Sequence, residues 1–157
     1  MVYTVQLASD SLELPRWPPV QRPGSMTDAT ALRFAAAIKL LRKCECDLGH
    51  THPETLTLRS AIAYRLGDDG DPVGAAEAFA ELLNDRLRVL GPNHPDTLAT
   101  RHNLAYFRGE AGDPAGAAEA FAELLTDQLR ALGLNHPHIL TTCHNLTYWG
   151  ARCREPA

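Results

Sequence analysis

Two kinds of amphipathic helix alternate along this chain. Between residues 72 and 90, apolar residues recur at three- and four-residue spacing while Glu77 and Glu81 face away from that stripe, which predicts a helix with one solvated side. Between residues 95 and 111 the apolar arc is wider, which predicts a helix packed on both sides. We call the second kind A and the first kind B. The stripe of B consists of Ala75, Ala76, Phe79, Leu82, Leu83, Leu87 and Leu90, and the arc of A includes Leu98, Leu104, Ala105 and Phe107.

Two short motifs mark where these helices end and begin. The Gly-Asp-Pro motif at 70–72 offers a left-handed helix end, an N-cap and a first helical residue in turn. In the Leu-Gly-Pro-Asn-His-Pro motif at 90–95, the glycine ends a helix, and either Asn93 or His94 caps the next one. Gly74, inside the following B helix, is expected to let the paired helices approach closely.

Both motifs recur every 42 residues, so the chain is a tandem array. Residues 70–107 and 112–149 differ at 11 of 38 positions, hence 27 are identical. One such unit cannot bury its apolar face alone, and its neighbours must stack on it to form a continuous core. The predicted fold is an all-α solenoid of antiparallel helix pairs with about six helices: B Thr30–Leu48, A Pro53–Gly67, B Pro72–Leu90, A Pro95–Ala111, B Pro114–Leu132 and A Pro137–Arg152.

The repeats occupy a domain predicted at residues 28–152. They leave an N-terminal arm of residues 1–27 and a C-terminal tail of residues 153–157. Four prolines within nine residues exclude a helix in the arm and favour an extended, polyproline-like conformation around Trp17. Residues 24–26 resemble a junction or a second start site.

Charge and composition narrow the range of partners. The net charge is -4 with a pI near 5.9, and basic residues are scattered among acids, which argues against nucleic acid or an anionic membrane as the main partner. No apolar run approaches the length of a membrane span and no signal-peptide pattern is present, so a cytoplasmic location is expected. The four cysteines form neither a C-x-x-C pair nor a disulfide framework, which favours free thiols.

The repeat motifs resemble those of the tetratricopeptide superfamily, and more closely its 42-residue kinesin-light-chain-like branch, as found in actinobacterial signalling proteins. The resemblance rests on Leu-Gly-x-x-His-Pro-x-Thr-Leu, on His-Asn-Leu-Ala from His102, and on Gly-Asp-Pro followed by Ala-Ala-x-Ala-Phe. It covers about residues 30–152 and implies a right-handed superhelix. The first unit departs from the pattern, since Ser60 and Ala61 replace His-Asn. Such repeats often adjoin an NTPase module, but the sequence contains no phosphate-binding loop motif.

The resemblance implies a protein-interaction module that binds a peptide or partner protein in the concave groove lined by the A helices. Asparagine offers a donor and an acceptor to a peptide backbone, and tyrosine supplies rigid contact area. Under the competing interpretation, the asparagines bond the neighbouring helix and the tyrosines only pack. A self-assembling structural domain and a small-molecule sensor also remain open as functions. The predicted groove residues are Ser60, Tyr64, His102, Asn103, Tyr106, His144, Asn145 and Tyr148, with Thr57, Ala61, Ala99 and Thr141 beside them.

Candidate metal and catalytic groups have simpler explanations. His52, His94 and His136 each precede a proline at a helix start, where capping accounts for them. Equivalent histidines of adjacent units would lie on the order of 10 Å apart, too far to share an ion without another ligand between them. Cys143 and His144 are helical neighbours whose side chains point about 100° apart. We therefore predict no metal, no cofactor and no enzymatic activity.

The array begins with an unpaired B helix and ends with an unpaired A helix. Leu146 and Trp149, with Leu140 and Tyr148, are expected to leave an apolar surface on the last helix. A second copy is expected to cover it. A two-fold homodimer is favoured over end-to-end docking into rings or filaments, because closed symmetry is commoner. The arm, anchored by Trp17, is expected to cover the first helix instead.

Overall fold

The computed structural model describes residues 28–134 and 136–154, and these residues form six α-helices with no strand. The predicted helix bounds are confirmed to within about two residues, the usual scatter of helix ends. The N-terminal arm with Trp17, the alternative cap Asn135, and tail residues 155–157 lie outside the described residues. The helices are α1 Asp28–Leu48, α2 Pro53–Asp68, α3 Pro72–Leu90, α4 Pro95–Glu110, α5 Pro114–Leu132 and α6 Pro137–Arg152, of which α1, α3 and α5 are the B helices.

Side-chain caps begin every helix from α2 onward. In α3, Asp71 Oδ1 accepts a hydrogen bond from the backbone N–H of Gly74 at 2.8 Å. In α4, His94 Nδ1 accepts from the backbone N–H of Asp96 at 3.2 Å, so His94 is the cap and Asn93 is not. His52, His136 and Asp113 cap α2, α6 and α5 in the same ways. The local signals therefore fix each helix start, as predicted.

The glycine inside each B helix makes room for the cap. A Cβ on Gly74 would collide with the carboxylate of Asp71, and one on Gly116 would collide with that of Asp113. The nearest atoms to Gly74 thus belong to its own cap rather than to a neighbouring helix. At Gly74 the prediction of close helix approach is wrong, since the absent Cβ lets the cap carboxylate reach the backbone N–H. At Gly116 a Cβ would also lie 2.7 Å from the guanidinium of Arg108 on α4, so there the glycine makes room for a neighbouring helix as well.

The A helices form the inner layer of the stack. Turns of three or four residues join successive helices, which therefore run antiparallel, and α4 packs against both α3 and α5 as predicted for a type A helix. Among the A helices, α4 also contacts both α2 and α6, whereas the B helices α3 and α5 do not contact each other. In a curved stack, the layer on the inside has the smaller radius and the closer helices, so the A helices lie on the concave side.

Large aromatic side chains of the inner layer pack against glycines of the preceding A helix. A Cβ on Gly109 would lie 2.7 Å from three ring atoms of Trp149, and one on Gly67 would collide with the ring of Phe107. Trp149 is consequently only 1% exposed. The expected exposure of Trp149 at the end of the array is wrong, because Gly109 opens a slot that takes the indole. Leu146 is half-buried against the same core.

Ion pairs link α2 to α3 and α4 to α5, in each case an A helix to the B helix that follows it. Arg59 on α2 pairs with Asp85 on α3 at 2.5 Å, and Arg101 on α4 pairs with Asp127 on α5 at 2.7 Å. The outer helices lack the matching groups. Where these contacts would recur, α1 carries Lys43 in place of the aspartate, and α6 carries Cys143 in place of the arginine and Ala151 in place of the slot glycine.

One polar pair is buried at the α3–α4 contact and another at the α5–α6 contact. Arg86, only 6% exposed, donates from one guanidinium nitrogen to Thr100 Oγ1 at 2.7 Å and to the Asp96 carbonyl at 2.9 Å. Burial lowers the pKa of Arg86. In the next unit, Gln128 Oε1 accepts from Thr142 Oγ1 at 2.8 Å. Arg86 and Gln128 thus bond the hydroxyl groups of equivalent buried threonines in successive units.

Candidate functional site

The candidate site is the concave face of α2, α4 and α6. Because the units repeat every 42 residues, equivalent side chains form rows that cross the three helices. Each predicted groove residue is half-buried or exposed, and none is fully buried. The rows are Thr57, Ala99 and Thr141; Ser60, His102 and His144; Ala61, Asn103 and Asn145; and Tyr64, Tyr106 and Tyr148.

A side-chain bond joins α4 to α6 across this face. Asn145 Nδ2 lies 3.0 Å from His102 Nε2, and an amide NH₂ can only donate, so the imidazole accepts. The His102 ring also meets Phe121 edge to face at 5.1 Å. Burial, with a smaller contribution from His138, lowers the pKa of His102 to about 4, so the ring is neutral at pH 7. For Asn145, the interpretation as a bond to the neighbouring helix is therefore correct.

Asn103 occupies the same position one unit earlier but has a different neighbour. The residue that would correspond to His102 in that unit is Ser60. Among residues 28–134 and 136–154, no hydrogen bond engages the Asn103 side chain, although it is half-buried. His144, at the other end of the row, is exposed. Of the two asparagines predicted for the groove, Asn103 is the one whose donors and acceptor are unused within the described structure.

The groove tyrosines are tied to the core by a continuous series of edge-to-face contacts. The series runs from Tyr64 to Phe107 (5.7 Å), Tyr106 (5.3 Å), Trp149 (6.1 Å) and Tyr148 (4.9 Å), with ring planes 72° to 82° apart. Such pairs contribute about 0.5–1.5 kcal/mol each beyond the buried area. The tyrosines therefore pack and remain accessible at once, and Tyr148 is 43% exposed.

Two acidic side chains lie near Tyr106, the central tyrosine of its row. Burial raises the pKa of Tyr106 to about 12, with further contributions from Glu110, Tyr64, Tyr148 and Asp68. These five groups are thus near neighbours on the concave face. Burial also raises the pKa of Asp68. The two acids were not predicted for the groove, although each follows a groove tyrosine by four residues and so shares its helix face.

The last unit carries an arginine where the first two carry these acids. Arg152 donates to the Tyr148 hydroxyl at 2.8 Å, and its guanidinium lies 5.5 Å from the Tyr148 ring centre and 5.7 Å from that of Trp149. Both distances fall in the range of cation–π contacts. The concave face is therefore acidic at α2 and α4 and basic at α6.

The histidines at the start of α6 form a small cluster. The rings of His136 and His138 meet edge to face at 4.6 Å, and burial, then His136, lowers the pKa of His138. Within the described part of the chain, no group of three or more His, Cys, Asp or Glu side chains is arranged to hold a metal ion. In the same part, no helix is both long and apolar enough to cross a membrane.

Comparisons with known proteins agree on one repeat type. The family model described as Tetratricopeptide repeat matches residues 55–96 and 97–138. No curated protein matches the chain. Two solved structures are similar to it: Podosopora anserina repeats, described as kinesin light chain nearly identical TPR-like repeats, and a single-substitution variant of them. Each is 21% identical with a TM-score of 0.69 over 77% of this chain. The chain spans 57% and 58% of the length of those chains.

Proposed function

Since the chain belongs to the tetratricopeptide repeat family, whose members generally mediate protein–protein interaction, we propose that it binds a peptide or partner helix in the groove of α2, α4 and α6. Repeats of this fold are typically non-catalytic scaffolds. The single observation that carries the proposal is the unused amide of Asn103 on the concave face. Its amide atoms are not among the buried side-chain atoms left without a partner, so they are open to solvent and to an extended peptide backbone, which offers both complementary groups.

The residues around Asn103 suit this role. Ser60 and Ala61, at the equivalent positions of the preceding A helix, are small, and Tyr106 is a half-buried aromatic residue one turn away on the same helix. Asn145 and His102 contribute differently from the original expectation, because their mutual bond fixes the spacing of α4 and α6. His144 and Tyr148 extend the accessible row onto α6.

A matched pair of asparagine variants tests the proposal. Peptides that bind the protein are selected from a displayed library of random twelve-residue sequences, and their affinities are measured for the wild type, Asn103→Ala and Asn84→Ala. Asn84 is exposed on α3, outside the inner layer. Asn103→Ala should weaken binding by about tenfold, the effect of losing roughly 1.4 kcal/mol of hydrogen bonding, whereas Asn84→Ala should have little effect. Equal affinities for all three proteins would contradict groove binding.

Self-association is a second candidate, favoured by two exposed leucines near the start of α6. Leu134 is 79% exposed and Leu140 is 75% exposed. Large exposed apolar side chains are typical of interfaces, and a two-fold dimer through α6 would cover Leu140. Light scattering should then report a dimer at high micromolar concentration and a monomer for Leu140→Glu. A wild-type monomer at that concentration would exclude this candidate.

A further inference from the structure

Two helices of the inner layer end with an acidic residue, which is the unfavourable charge at a helix C-terminus. Asp68 is the last residue of α2 and Glu110 is the last residue of α4. Carbonyl groups make a helix C-terminus negative, so a carboxylate there is unfavourable and a cation is favourable. At the same position, α6 obeys this rule with Arg152. The first two units therefore keep an acid where helix stability alone would select a base.

Neighbouring arginines do not neutralise these acids. Arg65, in the last turn of α2, forms its ion pair with Asp69 at 2.7 Å, and Arg108, in the last turn of α4, pairs with Asp113 at 2.9 Å. Arg65 does act on Asp68 at longer range, but burial outweighs it. Across the described residues, neither of the two acids has an ion-pair partner within 4.0 Å. The carboxylates beside Tyr106 are left for a cation from outside.

The third unit shows what this row of tyrosines accepts. The guanidinium of Arg152 lies over the Tyr148 ring and bonds to its hydroxyl. In the second unit, the equivalent tyrosine is Tyr106, and its helix supplies Glu110 instead of an arginine. An aromatic face with a carboxylate beside it is the complement of a guanidinium, which stacks on the ring and bonds to the acid.

We propose that the ring of Tyr106, together with the carboxylates of Asp68 and Glu110, forms a site for an arginine or lysine side chain of the bound segment. This inference rests on the proposed groove function and adds the chemistry of the partner: a basic peptide, held by its cationic side chain at the α2–α4 end. The reversed charge at Arg152 sets its direction, since a second basic group is disfavoured at α6. Arginine is preferred to lysine because its planar head both stacks and forms two bonds.

The test uses two fluorescein-labelled peptides of twelve residues that differ only in charge. One repeats Gly-Arg-Ser and the other repeats Gly-citrulline-Ser, which keeps the shape of arginine without its charge. Their affinities are measured by fluorescence anisotropy for the wild type and for two doubly substituted proteins. Asp68→Asn with Glu110→Gln removes the proposed site, and Glu77→Gln with Glu81→Gln removes two exposed carboxylates of α3, so the net charge changes equally.

The arginine peptide should bind about tenfold more tightly than the citrulline peptide, and the site variant should lose most of that difference. The α3 variant should change affinity by less than about twofold, as expected of screened surface charge. The site variant should also be at least as stable as the wild type to heat, because its helix ends no longer carry unfavourable charge. Lost binding would then not arise from unfolding.

Two results would overturn the inference. Equal binding of the two peptides would show that no cation site exists, and equal losses in the two variants would show only diffuse attraction. Failure of the groove itself gives a different pattern. If the selected library peptides depend on Asn103 but not on Asp68 and Glu110, only the cation site is wrong. If they are indifferent to Asn103, the groove proposal is wrong.

Discussion

Replacing Gly109 by alanine should destabilise the protein even though alanine is the better helix former. Gly109 lies in α4, and a Cβ there would stand 2.7 Å from three ring atoms of Trp149, whereas ordinary contacts are 3.4–4 Å. The indole would have to move by roughly 1 Å, a large shift in a close-packed core. It is 1% exposed and lies between the rings of Tyr106 and Tyr148, so it has no free direction to take.

The expected magnitude follows from two opposing effects. Alanine in place of glycine in a helix interior gains about 1 kcal/mol. Overpacking a core typically costs about 1–3 kcal/mol, and a ring held on both sides belongs at the upper end. The net loss should be about 2 kcal/mol, which lowers the urea midpoint by roughly 1 M for an m value of about 2 kcal/mol per M. Helix content followed by circular dichroism during urea unfolding measures it.

Gly150 provides a matched control on the neighbouring inner helix. No heavy atom lies within 4 Å of where its Cβ would be. Gly150→Ala should therefore stabilise the protein by about 0.5 kcal/mol, since only helix propensity and chain entropy change. The same substitution thus has opposite signs at two positions 41 residues apart. A midpoint that rises for both variants would refute the slot at Gly109.

A double-mutant cycle identifies the atoms responsible. Trp149→Leu shortens the side chain that fills the slot, so Gly109→Ala should cease to destabilise in that background. The interaction energy between the two substitutions should be about 2–3 kcal/mol. A loss from Gly109→Ala that persists without the indole would point to some other contact.

Two further predictions concern buried polar groups. The free energy of unfolding should fall by on the order of 2–3 kcal/mol between pH 6.5 and pH 4, because the unfolded chain takes up a proton at the ordinary pKa of 6.5, whereas in the folded protein the pKa of His102 is about 4. His102→Gln keeps an acceptor for Asn145 and should remove most of that fall, whereas His144→Gln should not; urea unfolding at pH 7 and pH 4.5 decides. Arg86→Gln should cost less than about 1 kcal/mol because the next unit already uses glutamine to satisfy its threonine, whereas Arg86→Ala, which leaves a cavity and the Thr100 hydroxyl without this donor, should cost about 2–4 kcal/mol. A large loss for Arg86→Gln would contradict the equivalence of the two pairs.

Helix boundaries could be predicted closely because their signals are local. Asp71 and His94 act on backbone N–H groups two or three residues away, and the prolines after them favour helix starts by their own geometry. The assignment of helices to the A and B types could also be predicted, since the width of an apolar arc reflects how many sides of a helix are covered. These features do not depend on how one unit meets the next.

Two of the errors concern contacts between units. The burial of Trp149 depends on Gly109, 40 residues earlier, and the engagement of Asn145 depends on His102, 43 residues earlier. A signal for the first was present, because Gly67 and Phe107 recur as Gly109 and Trp149 at the same spacing. The pattern within one unit gives no sign of a contact to another unit. Residue pairs that span two units can be predicted only when equivalent positions of the repeats are compared.

Arg86 and the groove acids were missed for another reason. Arg86 follows Leu82 by four residues, on the apolar stripe of its helix, where a charged residue signals a buried polar bond. Asp68 and Glu110 resemble ordinary surface acids until their position at the helix ends is known. Local composition does not reveal either feature, and the helix geometry does.

The mismatched outer helices determine how this array could lengthen over evolution. If one molecule docked α1 on α6 of another, Lys43 would face Cys143, which offers no partner, and the incoming α2 would bring Arg65 rather than a ring to the position beside Ala151. A duplication of residues 97–138 in place would instead give every new joint its Arg–Asp pair and its glycine beside an aromatic ring. Such a duplication lengthens the array with matched contacts at every joint, so the number of repeats that the gene encodes sets the length of the groove.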